Sequence, residues 1–199
     1  IIDCSLSLRR DPISASIQIS SASVRIFTTD SRFSIYSDGS YYQALSKFLP
    51  VEISAIDENS NYLSHNFYLD EWRMETENIL VFDLVDIFGV CDAIYYPGSL
   101  WETETPIADI FYEISQYIPV NILVHFTVMS RTLRGWIPPS SVREAIQQVC
   151  FASRTVPKAG TYIGVVDASL PVAGGTGYPA ITDAEKSVHQ KVSLLPQIT

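Results

Sequence analysis

The chain has 199 residues, is 47% hydrophobic and 12% aromatic, and carries 18% charged side chains with a formal net charge of −9 from 13 basic and 22 acidic groups. The nearest approach to a basic cluster is Arg131, Arg134 and Arg143, which is too thin for phosphates, so neither sequence-specific nucleic-acid binding nor an anionic membrane surface is expected. No apolar run reaches the roughly 18 residues of a membrane-spanning helix, so no membrane insertion is expected either.

The first part reads as strands. Ile13, Ala15, Ile17 and Ile19 alternate with Ser14, Ser16, Gln18 and Ser20, the period of two of a strand with one wet face. Val24 and Ile26 continue it, and Phe33 and Ile35 predict the next strand before a turn at Ser37, Asp38, Gly39 and Ser40. Val51, Ile53 and Ala55 alternate, and the polar loop at 57–61 returns the chain into Phe67, Tyr68, Leu69 and Trp72. A turn at 75–78 precedes Ile79, Leu80, Val81 and Phe82. Short strands with closely spaced turn signals predict a barrel or sandwich.

The character changes after Asp83. Residues 84–89 predict a helical turn ending at Gly89, and Tyr95, Tyr96, Pro97 and Gly98 a turn. Thr105 and Pro106 predict a helix cap and first position, with Ile107, Ile110, Phe111, Ile114 and Ile118 on one face, Asp109 at the positive end and Pro119 as the stop. Strands are predicted at 120–128 and 133–137, ended by Pro138 and Pro139. Ser141 and Glu144 form a capping box, and Val142, Ala145, Ile146 and Val149 line a helix ending near Ser153. A strand is predicted at 161–166 and a loop at Gly174, Gly175, Thr176 and Gly177.

The fold class is therefore α+β, mainly β. The expected division is a β-barrel-like domain over 1–95, a small α/β domain with two amphipathic helices over 96–157, and a returning β segment over 158–199 that begins a second, incomplete β domain. The chain opens Ile1, Ile2 with no signal-peptide pattern and is read as a piece of a longer polypeptide or a trimmed chain.

No motif supplies chemistry. His65, His125 and His189 have no metal-ligand spacing, and neither do Cys4, Cys91 and Cys150. The cysteines are expected to be buried or free thiols from a reducing compartment rather than a disulfide. Asp70 and Glu71, adjacent on a strand, point to opposite faces. Glu102 and Glu104 precede the predicted helix, where carboxylates favour the exposed N–H groups; a distant pair such as Asp70 with Glu102 stays open. No GxSxG is present, and the glycines at 174–177 lack the lysine of a phosphate loop. Catalytic, cofactor-binding and metal-binding residues are all set at none, no cofactor is expected, and the chain is expected not to be an enzyme. Trp72, Trp101, Trp136, Tyr95 and Tyr96 fit either a sugar-binding surface or, preferably, core and interface. The low charge fits either a surface that meets other proteins or a β-rich exterior of Ser and Thr.

The order of local signals is similar to a known family. Phe67, Tyr68, Leu69, Asp70, Glu71 and Trp72 resemble the FYVDEW strand of tail proteins of tailed phages and prophages. Tyr95, Tyr96 and Pro97, then Leu100 and Trp101, then Thr105 and Pro106 resemble its YY, LW and TP stretch. Residues 135–152, GWIPPSSVREAIQQVCFA, resemble its second and more specific segment, with Cys150 standing where the family has a small apolar residue. The resemblance spans residues 50–165 and implies a structural component of a tail tip or baseplate hub, located in the virion tail and made in the bacterial cytoplasm. It implies other tail and baseplate proteins as partners and a homo-oligomer, a trimer around the tail channel. An acidic channel wall repels DNA and lets it pass. The alternative function is a carbohydrate-binding module for host-surface recognition.

Overall fold

A computed structural model describes residues 1–8, 16–28, 41–56, 62–76 and 78–168. The expected features at Ile13 and Ala15, Phe33 and Ile35, 37–40, 57–61, 174–177 and His189 lie outside the described residues. The protein is α+β and mainly β, and its largest sheet is a curled antiparallel half-barrel. Its strands are β1 (Asp3–Ser7), β2 (Ser21–Phe27), β3 (Pro50–Ile56), β4 (Tyr62–Thr76) and β5 (Ile79–Val85), in the order β1-β2-β5-β4-β3, with a single helical turn α1 (Tyr41–Ala44) before β3.

Alternation does in this sheet what the pattern dictates. Ala22 and Val24 of β2 face inward with Ile53, Phe67, Leu69 and Leu84, forming one apolar cluster. Ser23 and Arg25 face the other way, where Ser23 Oγ donates to Asp83 Oδ1 at 2.9 Å. Arg25 pairs there with Glu75, and Arg73 with Asp83; such exposed pairs contribute about 0–1 kcal/mol each. The register of β4 against β5 slips between Leu69 and Glu71, so Asp70 sits at a bulge.

Residues 16–20 form no strand. They make a strap whose Ile17 and Ile19 are partly buried against the helical cluster, and most of its hydrogen bonds go to side chains instead of a ladder. Ile17 N donates to Gln147 Oε1 at 3.1 Å, and Arg143 Nη1 donates to Ile17 O at 3.0 Å. Ser20 N donates to Asp86 Oδ2 at 2.8 Å, and Asp86 N returns a bond to Ser20 O at 2.9 Å.

The rest of the described chain is built from α2 (Ile87–Ala93), β6 (Tyr95–Tyr96), β7 (Ser99–Pro106), α3 (Ile107–Ser115), β8 (Ile122–Val124), β9 (Thr132–Ile137), β10 (Ser140–Ser141), α4 (Val142–Ser153), β11 (Thr155–Lys158) and β12 (Ile163–Asp167). Three small sheets result: β6 with β10, β7 with β9, and the order β11-β12-β8 with β8 parallel to β12. Ile107, Ile110, Phe111 and Ile114 of α3 meet Val142, Ala145, Ile146 and Val149 of α4 in a second cluster. Each fully buried side chain of this size contributes on the order of 1.5–3 kcal/mol. The strand expected at 161–166 is β12. It is the central strand of its small sheet, and Ile163 and Val165 are buried in the same cluster as the helices.

Four expectations are corrected. Gly89 lies inside α2 and does not end it: a Cβ there would stand 2.6 Å from Val85 Cβ and 3.1 Å from Ile19 Cγ2, so close approach explains the glycine. Thr105 does not cap α3. It lies in β7, Pro106 is the N-cap with no side-chain bond, and Ile107 N is satisfied by Arg131 O at 2.8 Å from across the β7–β9 ladder. Helix α3 stops at Ser115 rather than Ile118, because the Ser115 hydroxyl and the Gln116 carboxamide both donate to Tyr112 O while Tyr117 and Ile118 make three-residue turns. The strand expected over 120–128 is only β8, because Val128 N and Met129 N both close turns onto His125 O. Helix α4 forms as predicted, with both capping-box bonds present and a left-handed Arg154 at its end.

Candidate functional site

The ionisable residues singled out in the sequence are spread over several elements among the described residues. His125 bonds Thr127 Oγ1 through Nδ1 at 2.8 Å in the turn after β8, and His65 lies on β4. Among the described residues, no group of three or more His, Cys, Asp or Glu side chains is gathered where it could hold a metal ion. Asp70 pairs with Lys47 at 3.0 Å. Glu102 and Glu104 are exposed on β7 rather than ahead of a helix, and Glu104 Oε2 accepts from Thr132 Oγ1 at 3.2 Å. The three cysteines are free thiols. Burial pushes Cys91 up to about 12, helped by the nearby Asp86, and burial pushes Cys150 up to about 12 as well. The half-buried Cys4 thiol is also raised, by burial first and by Asp3 second.

Arg131, Arg134 and Arg143 form no cationic patch. Arg131 donates to Ser153 O at 2.7 Å and Arg154 O at 3.1 Å and pairs with Asp167, closing the negative end of α4. Arg143 is held by Asp92 at 2.8 Å and by the strap.

Two carboxylates that no motif marked organise the interior. Asp86 is 5% exposed and N-caps α2, accepting from Phe88 N at 3.0 Å and Gly89 N at 3.1 Å while holding Ser20 N. Burial raises its carboxyl above the usual range, and the bonds from Ser20, Gly89 and Phe88 oppose that rise. Its one sequence signal was an Asp directly before an apolar helical run. Glu113 on α3 accepts from Tyr96 Oη and Trp101 Nε1, each at 3.2 Å, and so ties α3 to β6 and β7. Tyr96 is fully buried and stacks edge-on against Tyr117 at 5.3 Å; burial, then Glu113, raises its phenol. Nothing local in the sequence marks Glu113, because its partners arrive from other elements.

The five selected aromatics are split in the same way. Tyr96 is core, Trp72 and Trp101 are half-buried, and Tyr95 and Trp136 are about two-thirds exposed, at 66% and 65%. Trp136 lies directly across from the exposed Leu100 on the β7–β9 ribbon. Phe126 and Phe151 are also exposed large apolar side chains.

Two concavities stand out among the described residues. One, about 360 Å³, lies within the half-barrel and is mostly apolar, between Cys4, Val24, Val51, Leu69 and Leu84. The other, about 540 Å³, lies where the end of α3 meets β8 and the start of β12. No helix of the described residues is long and apolar enough to cross a membrane. Fold and site together define an α+β, mainly β protein in which Asp86, Glu113, Arg131 and Arg143 serve as caps and ties. No family model matches the chain, and no curated protein matches it.

Proposed function

We propose that this chain is a structural component of a phage or prophage tail tip or baseplate hub, working through assembly with other tail proteins and with copies of itself, and not an enzyme. The observation that carries the reading is the exposed apolar surface of the β7–β9 ribbon, where Leu100 at 61% and Trp136 at 65% exposure face each other across the strands. Aromatic side chains, tryptophan above all, are enriched at the centres of protein interfaces, and Trp136 is one. The resemblance to tail proteins supports it further: Phe67, Tyr68 and Leu69 of its first segment and Ile137, Val142, Ala145, Ile146 and Val149 of its second are buried, while Leu100 and Trp136 stay on the surface.

Deleting the gene from a lysogen and imaging induced particles tests the proposal. Tails that lack a tip, or are absent, are the expected result. Intact and infectious tails would refute it. The substitution pair Leu100→Ser with Trp136→Ser, placed in the same lysogen, is expected to give the same defect while the isolated variant keeps its circular dichroism spectrum.

A further inference from the structure

We infer that the cleft between the end of α3 and the start of β12 is a binding site for a neutral saccharide. Its polar lining comes from Ser115, Gln116, Asn121, Thr161 and Tyr162, and none of the residues around it carries a charged side chain. In a protein with 22 acidic and 13 basic groups, an open concavity of about 540 Å³ lined by none of them offers an ionic ligand no ion pair. A sugar needs the opposite: carboxamides and hydroxyls that exchange hydrogen bonds with its hydroxyls, and an aromatic or apolar surface for its C–H face.

The unused bonding capacity lies in this cleft. The Asn121 carboxamide makes no hydrogen bond among the described residues, while its backbone is fixed by Ile163 N donating to Asn121 O at 3.0 Å. Gln116 spends Nε2 on Tyr112 O at 3.2 Å and Ser115 Oγ at 3.4 Å, which holds the side chain in place and leaves Oε1 to accept. Thr161 Oγ1 accepts from Asn66 at 3.1 Å and keeps its own proton to donate. Tyr162 is 49% exposed, with its phenol hydroxyl unpaired among the described residues. Its ring edge lies 3.6 Å from where a Cβ of Gly164 would stand, so the aromatic surface rests on β12 instead of swinging free. Side chains fixed before binding lose less freedom on binding.

An extended peptide is the rival occupant, since β8 is an outer strand of its sheet. That strand is only three residues long and offers few backbone bonds for strand addition, and the free groups here are side-chain atoms.

Isothermal titration of the whole chain with short homo-oligosaccharides of glucose, galactose, mannose and N-acetylglucosamine tests the inference. Saturable binding to at least one of them is expected, weakened about tenfold or more by Asn121→Ala and by Tyr162→Ala. Tyr162→Phe, which keeps the ring and loses only the hydroxyl, is expected to weaken binding less than Tyr162→Ala and guards against simple misfolding. Trp136→Ala, on the ribbon, is expected to change nothing. No binding to any of these sugars, binding that survives both alanine variants, or binding of extended peptides in their place would overturn it. Failure here leaves the tail-assembly proposal standing, because that proposal rests on the ribbon.

Discussion

Asp86→Ala tests how the half-barrel is joined to the helices. One carboxylate accepts from Phe88 N and Gly89 N at the start of α2 and from Ser20 N in the strap. Losing an N-cap costs about 0.5–2 kcal/mol, and stranding the Ser20 amide adds about 1–3 kcal/mol. Part of that is returned, because the ionised carboxyl is penalised by burial, so the expected net loss is ~2–4 kcal/mol. Asp86→Asn keeps one acceptor for the α2 cap but turns its NH2 toward Ser20 N, which loses its partner, so it is expected to cost about 1–3 kcal/mol, less than the alanine variant. Urea denaturation followed by circular dichroism, with equal m-values, gives both numbers. The pH dependence has a definite sign. Burial lifts the folded-state carboxyl above its ordinary value, so its contribution is fully present below the unfolded value of about 3.9 and is lost as pH rises through the raised folded value. The stability difference between the Asn variant and the parent should therefore shift in favour of Asn across that window. A loss below about 0.5 kcal/mol for Asp86→Ala would refute the reasoning, as would a pH trend of the opposite sign.

Gly89→Ala should destabilise by about 1–3 kcal/mol in the same assay although alanine favours helices, because its Cβ would meet Val85 Cβ at 2.6 Å. Glu113→Ala, which removes the acceptor of Tyr96 and Trp101, should cost about 1–2 kcal/mol, and Glu113→Gln about half of that. With Cys91 and Cys150 both pushed up to about 12, neither should react with a thiol reagent in native protein at neutral pH. Half-buried Cys4 should react first, and the other two only on unfolding, as mass spectrometry of the labelled chain will read.

What the sequence disclosed followed from locality. The capping box of Ser141 and Glu144 needs only residues three apart, and the apolar face of α4 follows from a 3.6-residue period. The alternation at Val24 and at Ile53 placed both in the half-barrel interior. Where a distant partner decides, local reading failed. Thr105 looked like a cap because nothing nearby reveals that Arg131 O already satisfies Ile107 N. Gly89 looked like a stop because the pattern does not show the crowding there, from Val85 at 2.6 Å and from Ile19 of the strap at 3.1 Å. The strap looked like a strand because alternation records burial on one face and not the identity of the hydrogen-bond partner. The candidate cleft was the least legible feature, since Gln116, Asn121 and Tyr162 come from separate turns and their types are individually ordinary.

The strap sets an order of events during synthesis. Ile17 bonds to Gln147, 130 residues further on, and at about 5–20 residues per second a ribosome needs roughly 6–26 s to deliver that partner. Ile19 and Ser20 meet α2 much sooner, at Gly89 and Asp86, so the strap is fastened from its β2 end first, and the bonds of Ile17 to Gln147 and Arg143 close last.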